Sequence, residues 1–147
     1  MGDLGVVGAD VVDVTLSDRR IRLWPMNLAC CAVEADEAIR LLVEAEPAVA
    51  AEAPAEGPPV LDVLLVAGTV TAAFLPEIRA VWQAMPQPRH AIAFGACTIS
   101  GGPYWDSYSV VPGLVGELDP MVAVAGCPPR PEALRAAVEL AFAGLEP

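Results

Sequence analysis

The chain carries four cysteines, and their placement is unusual. Cys30 and Cys31 are adjacent, Cys97 closes the apolar run Ala91 to Ala96, and Cys127 closes a second run, Met121 to Gly126. Each stands where a hydrophobic segment stops and a turn begins. Thiols delivered to one edge of one sheet suit a soft metal, because thiolate is the ligand that zinc and iron–sulfur clusters prefer. The order is an adjacent pair, a long gap to the lone Cys97, and a shorter gap to the lone Cys127. A zinc knuckle brings its cysteines in close pairs, whereas a four-iron cluster accepts four thiolates from scattered loops. Spacing alone leaves a cluster, zinc and unligated core cysteines all open. Disulfides fit less well, since a cytoplasmic setting keeps thiols reduced and adjacent cysteines close only a strained ring.

The elements that must position these thiols can be read around them. Residues 1–19 read as an N-terminal arm or short hairpin, and residues 20–147 as one domain, with Ser17 to Leu23 polar and rich in arginine. Residues 32–46 have helical periodicity, with Val33, Ile39, Leu42 and Val43 among acids and Arg40. Residues 44–59 form an Ala/Glu/Pro-rich stretch expected to be a mobile surface loop. Leu61 to Ala67 is a continuous apolar strand ended by Gly68. Phe74 to Met85 is an amphipathic helix with Pro76 in its first turn. Arg89 to Ala96 and Met121 to Ala125 are further strands, Thr98 to Gly116 is a long loop, and Pro131 opens a last helix. This alternation predicts an α/β fold with a mainly parallel sheet. Ligands of such sheets bind beyond the carboxyl ends of the strands, which is where Gly68-Thr69, Cys97 and Cys127 fall.

Composition narrows the function classes. Of 147 residues 55% are hydrophobic, yet the longest uncharged apolar run, Val63 to Leu75, is 13 residues, short of the roughly 20 that a spanning helix needs. The start, Met1-Gly2-Asp3, lacks a basic-then-apolar signal, so a cytoplasmic protein is expected. Surplus apolar surface then points to burial against partner subunits. Net charge is −11 and all eight cations are arginines, which argues against nucleic-acid binding. No glycine-rich phosphate loop is present, so the chain itself is not expected to bind a nucleotide.

The wording of the motifs adds to this. Leu23-Trp24-Pro25-Met26-Asn27-Leu28-Ala29-Cys30-Cys31-Ala32-Val33-Glu34 closely resembles the cysteine-pair segment of the PSST (B subunit) family of complex I, the NADH:quinone oxidoreductase. That family is related to the [NiFe] hydrogenase small subunit. Val66 to Thr71, Met85 to Arg89 with Gly95-Ala96-Cys97, Gly101 to Tyr104 with Tyr108 to Gly113, and Gly126 to Leu134 resemble the family's later motifs, in order. The resemblance implies a flavodoxin-like three-layer fold with a cluster at the C-terminal edge of the strands. It implies one [4Fe–4S] cluster held by Cys30, Cys31, Cys97 and Cys127. It further implies an electron-transfer subunit, inactive alone, passing electrons from a ferredoxin-like two-cluster subunit to quinone, next to a large hydrogenase-like subunit. Such a chain sits peripherally on the cytoplasmic side of the membrane, with membrane subunits of the complex as further partners. Alternatives are the small subunit of a membrane-bound [NiFe] hydrogenase, or a non-catalytic assembly scaffold. The chain departs from the family between Ala35 and Pro59, where it is acidic and alanine-rich with no Phe, Tyr or Met.

Six further residues stand out. Glu34, one helical turn beyond Cys31, is a candidate proton-coupled acid or an ordinary helix-start carboxylate. Arg89 and Arg130 flank the cysteine motifs, where a cation raises a cluster's potential by Coulomb attraction or simply forms a salt bridge. The single histidine, His90, reads as a packing or surface residue. Tyr104 and Tyr108 read as packing or subunit contacts, with lining of the cluster loop as the sharper alternative.

Overall fold

Seven consecutive residues, Leu61 to Ala67, are buried, and they form the strand at the centre of the sheet. In a computed structural model, residues 11–16, 19–28, 31–45, 61–114, 117–118 and 121–143 are described. Along the chain run β1 (Val12–Leu16), β2 (Arg19–Asn27), α1 (Ala32–Ala45), β3 (Leu61–Ala67), α2 (Leu75–Ala84), β4 (Arg89–Phe94), α3 (Ala96–Ser100), β5 (Met121–Val124) and α4 (Ala133–Ala143). The five strands form one sheet in sequence order. β2 to β5 are parallel, and β1 pairs antiparallel with β2, Val12 opposite Leu23.

Alternation along the strands divides the core into two layers. Ile21, Leu23, Val63, Leu65, Ile92 and Phe94 pack with Ala35, Ala38 and Leu42 of α1 and with Leu134, Ala137 and Val138 of α4. Trp24, Met26, Leu64, Val66 and Ala91 face the other way, against Ile78, Val81 and Trp82 of α2 and Leu114 and Leu118. Helices cover both faces, so the architecture is a three-layer, flavodoxin-like α/β fold. One detail differs from the flavodoxin-like strand order, in which the second parallel strand flanks the first: here the antiparallel β1 takes that place.

The strand β2 is a correction to the polar reading of residues 17–23. Its arginines mask a period-two pattern in which Ile21 and Leu23 are buried on one face and Trp24 and Met26 on the other. Asp62, 2% exposed, anchors it: Trp24 Nε1 donates to Asp62 Oδ1 at 2.8 Å and Arg22 Nη1 lies 3.6 Å from the same oxygen. Pro25 is tolerated because it lies past the last β1 partner, so no ladder bond is lost on that side. The expected N-terminal arm thus contributes residues 12–16 to the sheet; residues 1–10 lie outside the described residues. Of the expected loop 44–59, Glu44 and Ala45 belong to α1, and the rest lies outside the described residues. No described helix is long and apolar enough to cross a membrane.

Candidate metal centre

The chain leaves the sheet at one edge through four connections. Those after β2, β4 and β5 carry the cysteines, and that after β3 carries Gly68. Cys31 stands just ahead of α1, 1% exposed, and its carbonyl accepts a bond from Ala35 N at 2.9 Å. The N-terminal end of this 14-residue helix carries a partial positive charge, an environment suited to an anionic sulfur.

Strand β4 stops earlier than its apolar run suggests. Gly95 takes φ 110°, ψ 157°, a conformation open almost only to glycine, and the chain turns directly into α3. Ile99 N closes that turn on Gly95 O at 3.1 Å. The expected strand to Ala96 and the uniform loop after it are corrected accordingly. Cys97 lies in this turn, 2% exposed. Thr98 Oγ1 donates to Gly68 O at 2.7 Å, tying α3 to the end of β3. Gly95 N and Ala96 N donate to Val124 O and Gly126 O at 2.9 and 2.8 Å, which fixes α3 against the end of β5. Cys127 follows, exposed.

Gly95 is where these loops meet. A Cβ placed there would lie 2.7 Å from Cys31 Sγ, 3.6 Å from Pro129 Cδ and 3.7 Å from Gly126 O. A Cβ on Gly102 would lie 3.0 Å from Cys97 Sγ. Glycine at both positions leaves the thiols of Cys31 and Cys97 room that any side chain would take. Cys31, Cys97 and Cys127 therefore occupy one end of the sheet, while Cys30 lies outside the described residues. Among the described residues no three of the His, Cys, Asp and Glu side chains are grouped to hold a single metal ion. A four-iron cluster asks for a different arrangement, with each thiolate on its own iron and the sulfurs spread around it.

The remaining candidates separate. Glu34, in the first turn of α1, has a buried Oε2 with no hydrogen-bond partner. Arg130 is exposed, in the segment that follows Cys127. Arg89 does not flank the site. It begins β4 at the opposite edge, roughly 16 Å of strand away, donates to Trp82 O, and lies 4.5 Å over the Trp82 ring. His90 is packed, 5% exposed, its Nδ1 3.2 Å from Ala91 O. Tyr104 and Tyr108 are exposed rather than packed. The sequence reading missed Gly102 as a neighbour of the Cys97 sulfur and Trp105 beside Tyr104; the doubled glycine and the aromatic cluster were the available signals.

The family model described as "NADH ubiquinone oxidoreductase, 20 Kd subunit" matches residues 26–141. This chain belongs to that family. The second of the NADH-quinone oxidoreductase B subunits of Streptomyces griseus is 42% identical over 144 residues, covering 91% of this chain and 58% of the relative. The first of the B subunits of the same enzyme in Salinispora tropica is 45% identical, with 88% and 69% covered. The B subunit from Geotalea daltonii is 40% identical, with 91% and 81% covered. The chain thus spans little more than half the length of the Streptomyces relative. Among solved structures, a chain of the membrane-bound sulfane sulfur reductase, an archaeal respiratory membrane complex, is 36% identical with a TM-score of 0.50, covering 56% of this chain and 46% of that one.

Proposed function

We propose that this family member is the electron-transfer subunit of a complex I-like NADH:quinone oxidoreductase, binding one [4Fe–4S] cluster through Cys30, Cys31, Cys97 and Cys127. The observation that carries the reading is Cys31 Sγ against Gly95, between the turn that bears Cys97 and the Gly126–Pro129 loop. Sulfur is the ligand class such a cluster takes, and the glycines leave space beside two of the thiols. Held by Cys30, Cys31, Cys97 and Cys127, the cluster would supply one-electron chemistry between a ferredoxin-like two-cluster subunit and quinone.

The protein's own residues do the rest. The N-terminal end of α1 favours negative charge at Cys31. Arg130 adds a cation in the Cys127 segment, which favours the reduced state of a nearby centre. Glu34 brings a carboxylate to the first turn of α1, its Oε2 buried without a hydrogen-bond partner. Thr98 and Gly68 hold α3 in place through their buried bond. The chain is inactive alone and works next to a large hydrogenase-like subunit and membrane subunits, peripheral on the cytoplasmic face.

A second reading keeps the cluster and changes the acceptor. It is supported by the similarity to a chain of a sulfane sulfur reductase complex, and by the acidic, alanine-rich composition of residues 35–59. One experiment separates the two. In the purified complex, NADH should bring up the cluster's electron paramagnetic resonance signal and added quinone should bleach it. A signal that NADH raises and quinone leaves untouched overturns quinone as acceptor.

A further inference from the structure

Aromatic residues are scarce in this chain, yet both tyrosines and one of the three tryptophans fall within residues 104–108. All three point into solvent: Tyr104 is 55% exposed, Trp105 65% and Tyr108 99%. The loop that presents them is not slack. Tyr104 N bonds Gly101 O at 3.1 Å, Ser107 N bonds Tyr104 O at 3.0 Å, and Val110 N bonds Ser107 O at 3.1 Å. Its far side is stitched to the segment after β3, Ala72 N to Ser109 O at 2.8 Å and Val111 N to Val70 O at 2.9 Å. Gly101 permits the close fold, since a Cβ there would stand 2.8 Å from Trp105 Cα. Large aromatic rings held out on a fixed frame lose little freedom on being covered, the property of residues that dominate protein interfaces.

Two observations say what covers them. The loop continues directly from the α3 turn, and Gly102 abuts Cys97 Sγ, so whatever seats on these rings stands beside the cysteine set. The loop itself is also anionic: Asp106 is exposed between the rings, the sequence from Ala91 to Pro129 has no cationic residue, and the Glu117 carboxylate is already taken by Arg79 at 2.6 Å. A net charge of −11 disfavours a second copy of this chain and an anionic lipid surface alike.

We propose that the Tyr104–Tyr108 face is the docking site of the polypeptide that exchanges electrons with the centre, and that this partner offers an apolar pocket rimmed by arginine or lysine. The proposal rests on the iron–sulfur reading above. Cations on the rim would meet Asp106 and the faces of Trp105 and Tyr108, an attraction that aromatic rings supply alongside apolar contact.

The test uses the intact complex purified through a tag on this chain. With Trp105→p-benzoylphenylalanine, irradiation should join position 105 to a co-assembled subunit that itself binds a redox cofactor. The double variant Trp105→Ala, Tyr108→Ala should reduce co-purification of that subunit roughly 30-fold, the loss expected for hot-spot aromatics. Trp105→Phe should largely restore it, and the isolated double variant should keep the iron content and melting temperature of the parent. A cross-link to a second copy of this chain, to lipid or to a subunit without a redox cofactor overturns the proposal, as does assembly of the double variant at the parent level. If the parent chain holds no iron, the iron–sulfur reading fails and this proposal falls with it. An iron-loaded chain whose double variant assembles normally contradicts the docking face alone.

Discussion

The sulfur of Cys31 lies against Gly95, where a Cβ would stand 2.7 Å from it. These residues are far apart in the chain and belong to different connections of the sheet. The contact makes a sharp prediction. Gly95→Ala puts a methyl group into the sulfur and forces a residue with a Cβ to adopt φ 110°. Strain of this kind costs about 1–3 kcal/mol, so the denaturant midpoint should fall. Cys31 should also move, and cluster loading should drop by more than stability alone explains. A Gly95→Ala protein with unchanged midpoint and iron content contradicts the geometry.

Asp62 offers a control at the other end of the sheet. It is 2% exposed, accepts the Trp24 indole N–H at 2.8 Å, and faces Arg22 at 3.6 Å. Asp62→Ala strands that indole donor and leaves a cavity, a loss of about 2–3 kcal/mol. Urea unfolding measures it. Folded variant protein should load iron like the parent, since the change lies at the strand starts, away from the cysteines.

On the outer face of α1, Arg40 bonds Glu37, and its Nη1 reaches Glu44 Oε2 at 2.6 Å. The bond from Arg40 holds the Glu37 carboxyl below its ordinary value of 4.5. A carboxyl with a depressed folded-state pKa stabilises above the unfolded value and loses that stabilisation as pH falls through the folded one. Melting temperature should therefore decline below about pH 4.5, and Arg40→Gln should flatten that part of the decline attributable to Glu37. The pair lies at the surface, its side chains 50% and 43% exposed, so added salt should shrink the difference. A difference that survives molar salt speaks against an ion-pair origin.

Much of the fold was legible because single residues carried clear signals. The continuous apolar run Leu61 to Ala67 could only be a strand buried on both faces, and Pro76 marked the first turn of α2. β2 was not legible. Arg19, Arg20 and Arg22 made it look polar, and the acid that anchors it, Asp62, comes only after α1 and the following segment. α3 was hidden for another reason. Its five residues follow a strand without a break in hydrophobicity, and only the backbone angle at Gly95 divides them. At the site, the sequence picked out four cysteines and placed them at one sheet edge; Cys31, Cys97 and Cys127 lie there, and Cys30 is outside the described residues. It could not say that Gly95 and Gly102 leave the sulfurs their room, nor that Arg89 is turned away onto Trp82, because both depend on contacts made across the fold.

Everything proposed for this chain depends on Cys30, Cys31, Cys97 and Cys127 holding one four-iron cluster. That is tested most directly by anaerobic reconstitution with iron and sulfide, followed by metal analysis and electron paramagnetic resonance of the parent and of Cys31→Ala, Cys97→Ala and Cys127→Ala. About four irons per parent chain are expected, with a reduced-state cluster signal that is lost or converted in each variant. An iron-free or zinc-only parent, or a variant spectrum identical to the parent's, would contradict it.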